Sequence, residues 1–350
     1  MTKEESASRG ALRQARRVCV KAGTSVVANK DGRPSLTRLG AMVEQIAELN
    51  RDGVEVLFVS SGAVGMGKQL LRKQNRLTMS FMDFAKKSDD GGRMARTMST
   101  NSFTSLLQAN QQPQTAAEQK KNYDSACAAA GQFEMMNLYN SLFSQLDVAA
   151  SQILVTQTDF TDDSRLNNLK YAIDRLLSLG IVPIINENDA VSANLGYTAD
   201  DIFSDNDSLA ALCARSFGAE VLLLLTDVDG VYDCSPKENP NAKLLPLYQV
   251  SSEVSIGKKS EQGRGGMARK IEAALSAVEP GSSCVACVVA SGSDLNCIRS
   301  VLGPDASYGS PGTLFVSPGS DLEKQALEDD ATTGVSCFRV CFALERWSDN

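Results

Sequence analysis

Two lysines in glycine-bearing strings mark where this chain could handle a phosphate. Lys21 opens Lys21-Ala22-Gly23-Thr24-Ser25, directly after the apolar Val18-Cys19-Val20. Lys270 closes Gly263-Arg264-Gly265-Gly266-Met267-Ala268-Arg269-Lys270, in the first turn of a predicted helix. Glycines at a helix start let backbone N–H groups approach a phosphate, and the helix dipole favours anions there. Three further polar clusters, Ser61-Gly62-Ala63, Asn186-Glu187-Asn188-Asp189 and Thr226-Asp227, follow apolar runs. Each alone reads equally well as a strand exit or a helix cap. Five together at the mouths of predicted elements point to a ligand site. The familiar phosphate loops are absent: GxxxxGK[ST] does not occur, and Gly62-Ala63-Val64-Gly65-Met66-Gly67 has the wrong spacing for a dinucleotide fingerprint.

The elements that must present these clusters alternate. Val18–Val20 predicts a strand. Leu36, Leu39, Val43, Ile46 and Leu49 recur at helical steps and predict one apolar helix face. Val54–Val59 is a nearly continuous apolar run, as in a strand covered on both faces. Ser125–Leu146 reads as an alanine-rich helix and Gln152–Thr156 as a strand. A helix with N-cap Thr161, closed by Gly180, leads into the strand Ile181–Ile185. Ser208–Phe217 and Met267–Val278 read as helices, with strands at Glu220–Leu225, Cys284–Ala290 and Gly312–Val316. This alternation predicts an α/β fold of three layers, a mostly parallel central sheet sandwiched between helices. In such folds ligands bind at the carboxyl ends of the strands, where the clusters lie. Residues 75–122 lose the pattern and read as a polar insertion. Residues 1–15 read as a tail, and 317–350 take no assignment.

Composition narrows the chemistry. The 350 residues contain no histidine, which removes His triads, His general bases and His metal ligands. A net charge of -7 disfavours nucleic acid as a partner. Cys284 and Cys287 form a CxxC inside an apolar strand, so core packing is the simpler reading than metal or redox work. No apolar run of about 18 residues occurs, and Met1–Arg17 lacks a secretory h-region, which predicts a cytoplasmic protein without membrane contact.

Several strings resemble the glutamate 5-kinase branch of the amino-acid kinase family. They are Lys21-Ala22-Gly23-Thr24-Ser25, Ser60-Ser61-Gly62-Ala63, Pro183 to Val191, Asp205-Asn206-Asp207-Ser208-Leu209-Ala210, Leu225 to Tyr232, and Gly265-Gly266-Met267, in the family's order. Gly67 to Arg72 and Ala126 to Gln132 are similar to the kinase half of eukaryotic pyrroline-5-carboxylate synthase. The resemblance spans residues 16–316, with an N-lobe of about 16–218 for glutamate and oligomerisation and a C-lobe of about 219–316 for ATP. It implies ATP-dependent phosphorylation of the glutamate side-chain carboxylate, the first step of proline biosynthesis, with ATP and Mg²⁺ as cofactors. The resemblance makes Lys21 and Lys270 the charge stabilisers and Asp207 their organiser. It gives glutamate to Ser61, Asp189, Asp205 and Asn206. It gives ATP to Thr226, Asp227, Arg264, Gly265, Gly266 and Met267, together with both lysines; Tyr232 and Pro236 follow in the next hairpin. No protein ligands for a metal are expected. The resemblance further implies proline as inhibitor, a homo-oligomer (dimer or tetramer), and hand-over of the product to a separate glutamyl phosphate reductase. Two rival readings stay open: the same fold acting on carbamate, aspartate or acetylglutamate, and a catalytically inactive amino-acid sensor.

Overall fold

The computed structural model describes residues 7–74, 116–192, 203, 205–236, 239–248, 266–303 and 311–333. In chain order the helices are α1 (Ala7–Leu12), α2 (Thr24–Val27), α3 (Leu36–Arg51), α4 (63–74), α5 (Ala116–Ser144), α6 (Thr158–Thr161), α7 (Asp163–Ser178), α8 (Asp189–Ser192), α9 (Asn206–Ser216), α10 (Met267–Ala277), α11 (Cys297–Leu302) and α12 (Asp321–Thr333). The strands are β1 (Arg17–Ala22), β2 (Glu55–Ser60), β3 (Ala150–Val155), β4 (Val182–Glu187), β5 (Val221–Thr226), β6 (Ala286–Ser291) and β7 (Thr313–Val316).

These strands form one sheet in the order β3-β4-β2-β1-β5-β6-β7. All neighbours pair in parallel except β7, which runs antiparallel to β6. The chain winds outward from β1 to one side and then returns to add β5 on the other, so β1 and β5 flank the point where the winding reverses. That reversal leaves a crevice at their carboxyl ends.

Strand alternation divides the core into two clusters, one on each face. Val18, Val20, Phe58, Ile184 and Leu223 pack on α3, α5 and α11. Cys19, Leu57, Ile185, Leu222 and Val289 pack on α7, α9 and α10. Lys21, two residues after Cys19, shares the second face and points toward the starts of α9 and α10.

Several expectations change in detail. Leu36 is 63% exposed because it is the first residue of α3, ahead of the buried Leu39, Val43, Ile46 and Leu49. The N-cap of α7 is Asp162, which accepts from the Arg165 N–H; Thr161 ends the short α6 instead. Cys284 precedes β6 and, like Cys287, is buried and unbridged; burial pushes its thiol up to about 12. The stretch read as a tail contains α1, whose Ser8 hydroxyl donates to Asp329 of α12, so the two terminal helices pack together. Of the polar insertion 75–122, residues 75–115 lie outside the described residues, and 116–122 belong to α5.

Candidate active site

The site is built where β1, α9 and α10 meet. Asp205 is the N-cap of α9: its Oδ1 accepts from the backbone N–H of Asp207 at 3.0 Å and of Ser208 at 2.9 Å. This cap starts the helix so that Asn206 and Asp207 occupy its first turn. A carboxylate there is favoured by the helix dipole. Lys21 Nζ donates to Asp207 Oδ1 at 2.5 Å, and Lys270 Nζ donates to Asp207 Oδ2 at 2.6 Å. One carboxylate therefore holds two ammonium groups from different elements.

All three groups are largely removed from water. Asp207 is 3% exposed and Lys21 4%. Burial alone would raise the Asp207 pKa, but the two lysines outweigh it and hold the carboxyl at about 2. Burial pushes the Lys21 ammonium down, against the pull of Asp207, with Lys270 adding to the depression. We take Asp207 as ionised and both lysines as charged, because each charge is hydrogen-bonded to its opposite. The cluster then carries one uncompensated positive charge, which suits an anion. Gly23 keeps the approach to Lys21 open: a Cβ there would lie 3.4 Å from its Nζ.

A second set of side chains runs away from this cluster. Asn206 Nδ2 donates to Ser61 Oγ at 2.7 Å, to Asn186 Oδ1 at 3.1 Å and to the Ser60 carbonyl at 3.4 Å. Asn186 Nδ2 in turn donates to Gln132 Oε1 at 2.9 Å. Ser60 Oγ bonds the buried Tyr139 hydroxyl at 2.7 Å beneath. Gly62, at φ +110°, takes the backbone from β2 into α4 through a conformation that a side chain disfavours. Asp189 begins α8 and lines a cavity of about 280 Å³ with Gln132, Glu187 and Asn188.

On the other side, Thr226 is the last residue of β5 and is buried, while Asp227 beyond it is exposed. Gly266 is the N-cap of α10 and provides no side-chain cap to its first N–H groups, and Met267 opens the helix. Arg264 and Gly265 lie outside the described residues. Tyr232 donates to Asp229 at 3.3 Å, so its hydroxyl is engaged within its own hairpin. Among the described residues no cluster of three or more acidic or cysteine side chains could hold a metal ion.

The structure thus brings Lys21, Asp207 and Lys270 into contact, joins Ser61 to Asn206, and sets Asp189 in the neighbouring cavity. Asp205 has a capping role; its Oδ2 is buried without a hydrogen bond among the described residues and lies 3.8 Å from Arg269 Nη1. Sequence reasoning missed the roles of Gln132, Asn186 and Tyr139. Asn186 stands in a marked polar cluster and Gln132 at the end of a resemblance string without a role for either, and Tyr139 shows only as a phenolic residue within an apolar helix face.

A mostly parallel sheet with a reversal at β1 and β5, and two lysines sharing one carboxylate beside its carboxyl edge, defines a three-layer α/β fold with a crevice suited to an anion. Residues 16–291 match the model of the amino acid kinase family, and the chain belongs to that family. The chain is 41% identical over 341 residues to delta-1-pyrroline-5-carboxylate synthase of Solanum lycopersicum, covering 95% of this chain and 42% of that one. It spans 38% of the corresponding synthase of Mesembryanthemum crystallinum, well under two thirds of that relative's length. Glutamate 5-kinase of Clostridium acetobutylicum is 33% identical over 310 residues, covering 87% of this chain and 96% of that enzyme. The fold is also that of isopentenyl phosphate kinase, with a TM-score of 0.50 at 16% identity over 86% of this chain and all of that one.

Proposed function

We propose that this chain is an ATP-dependent glutamate 5-kinase, forming L-glutamyl 5-phosphate and ADP as the first step of proline biosynthesis. The observation that carries the reading is the carboxylate of Asp207 shared by Lys21 and Lys270. The glutamate nucleophile is a carboxylate already ionised at neutral pH, so no general base is required and a chain without histidine suffices. What the reaction requires is in-line positioning and neutralisation of the moving phosphoryl group. Lys21 approaches that group from β1 and Lys270 from α10. Asp207 stops the two ammonium groups from repelling each other apart.

Ser61, Asn206 and Asp189, with Asp205 nearby, hold the amino acid. Thr226, Asp227 and the start of α10 at Gly266 and Met267, with Arg264 and Gly265 before it, hold the nucleotide. The uncapped N–H groups of α10 suit its phosphates. Mg²⁺ would accompany the nucleotide and would supply neutralisation of charge on its phosphates. In this reading proline competes for the amino-acid site, the protein works as a homo-oligomer in the cytoplasm, and a reductase consumes the labile acyl phosphate. Glutamate-dependent ADP release with hydroxylamine present tests it directly: glutamyl hydroxamate is expected. A substrate panel with carbamate, aspartate and acetylglutamate would overturn the assignment if one of these is turned over in preference.

A further inference from the structure

The hydrogen bonds leading away from Asn206 have a fixed polarity, and they end on a donor with nothing to donate to among the described residues. The Ser60 backbone carbonyl can only accept, so Asn206 must turn its NH₂ toward it, and that same NH₂ faces Asn186 Oδ1. Asn186 must then present its own NH₂ to Gln132, whose oxygen accepts it. This leaves the Gln132 NH₂ at the end of the chain. Gln132 is 7% exposed, and its Nε2 is buried with no hydrogen-bond partner among the described residues. A buried amide donor left unsatisfied is costly, and in a native site such a group calls for a partner.

Gln132 lines the cavity of about 280 Å³ beside Ala63, Asn188 and Asp189. The charged residues lining that cavity, Glu187 and Asp189, are both acidic. It therefore suits an ammonium group, and a carboxylate could enter only if neutral N–H donors received it. We propose that Gln132 is a substrate-binding residue whose Nε2 donates to the α-carboxylate of the amino-acid substrate. The inference rests on the glutamate-kinase reading above and deepens it. The side-chain carboxylate must face Lys21 and Lys270 to be phosphorylated. Gln132 is separated from Asp207 by Asn186 and Asn206, so the acceptor within its reach is the carboxylate at the far end of the substrate. The aligned amides also couple the two ends: Asn206, beside the organiser of the lysines, is oriented through the same chain that orients Gln132.

The variant Gln132→Glu keeps an oxygen for Asn186 and replaces the donor NH₂ by a second carboxylate oxygen, whose negative charge would repel a carboxylate placed there and not an ammonium. Its expected kinetics are a KM for glutamate raised roughly 10-fold or more, the scale for loss of a hydrogen bond to a charged group, with KM for ATP unchanged. The Ki of 4-aminobutyrate, which is glutamate without its α-carboxylate, is expected not to rise, because no contact to it is lost and its ammonium group is not repelled by the new carboxylate. Gln132→Met removes the donor without adding charge, at the cost of the acceptor for Asn186, and gives the second reading of the same two constants should Gln132→Glu fold poorly. A glutamate KM that does not move, or glutamate and 4-aminobutyrate weakened equally, would overturn the assignment and leave Gln132 a structural residue. Absence of glutamyl hydroxamate from the unsubstituted protein would instead remove the kinase reading, and this inference with it.

Discussion

The backbone of Gly131 lies directly against the carbonyl oxygen of Ala63, so closely that a Cβ at Gly131 would overlap both that oxygen and the nitrogen of Gly67. Gly67 meets the Cys127 carbonyl in the same way. Helices α4 and α5 therefore touch main chain to main chain, which sets Gln132 beside the Ser61-Gly62-Ala63 turn. Gly131→Ala cannot be absorbed by a flexible side-chain tip, because backbone stands in the way. It is expected to lower unfolding free energy by about 1–3 kcal/mol and to raise KM for glutamate more than KM for ATP. Urea unfolding and initial-rate kinetics on one preparation test both effects. An unchanged midpoint would mean that the helices separate at little cost.

The shared carboxylate makes a second expectation. Lys21→Ala and Lys270→Ala each remove one preorganised positive charge, and kcat is expected to fall about 10²-fold or more in either variant. Steady-state rates on folded protein measure this. Near-normal kcat in one variant would take that lysine out of the chemistry.

Acid stability reports on the same group. The Asp207 carboxyl titrates at about 2 in the folded chain against an ordinary 3.8. Its contribution is therefore complete above about pH 4 and is lost as pH falls toward 2, amounting to about 2 kcal/mol. Asp207→Asn is expected to be less stable at neutral pH, because two buried ammonium groups lose their counter-charge. Its stability should also fall less steeply than that of the unsubstituted protein as the medium is acidified through that range. Urea midpoints at successive pH values give both slopes, and parallel slopes would contradict the assigned ionisation.

Arg9 supplies a prediction remote from the site. Its buried guanidinium donates to the carbonyls of Pro246, Pro311 and Gly312 at 3.0–3.1 Å, tying α1 to the approach to β7. Burial lowers its pKa to about 10, well above neutral, so it remains charged. Arg9→Met would remove a donor from three carbonyls, of which that of Pro246 keeps the Leu314 N–H at 2.9 Å, and a loss of about 3 kcal/mol is expected. Arg9→Lys should rescue little, since a single ammonium nitrogen cannot occupy both positions from which Nη1 and Nη2 reach these carbonyls. Thermal unfolding and protease susceptibility near α1 check this; full rescue by lysine would show that charge alone suffices.

The sequence by itself determined the layered α/β plan, because alternating runs such as Val54–Val59 and the Leu39–Leu49 face have periods set by local geometry. It also marked the strings that bear Lys21 and Lys270, whose glycines and polar residues break apolar runs, while the string that bears Asp207 stood out by its resemblance to the family. Local periodicity says nothing about strand order or direction, so the antiparallel β7 was not legible, nor was the packing of α1 on α12. Only the tertiary structure decided that one carboxylate receives both lysines, across 186 and 63 residues of chain. Only it gave the amide chain from Asn206 to Gln132 a direction. The physical reason is the same for both: a hydrogen bond's partner and polarity depend on which elements the fold brings within about 3 Å of each other, and no spacing along the chain encodes that distance.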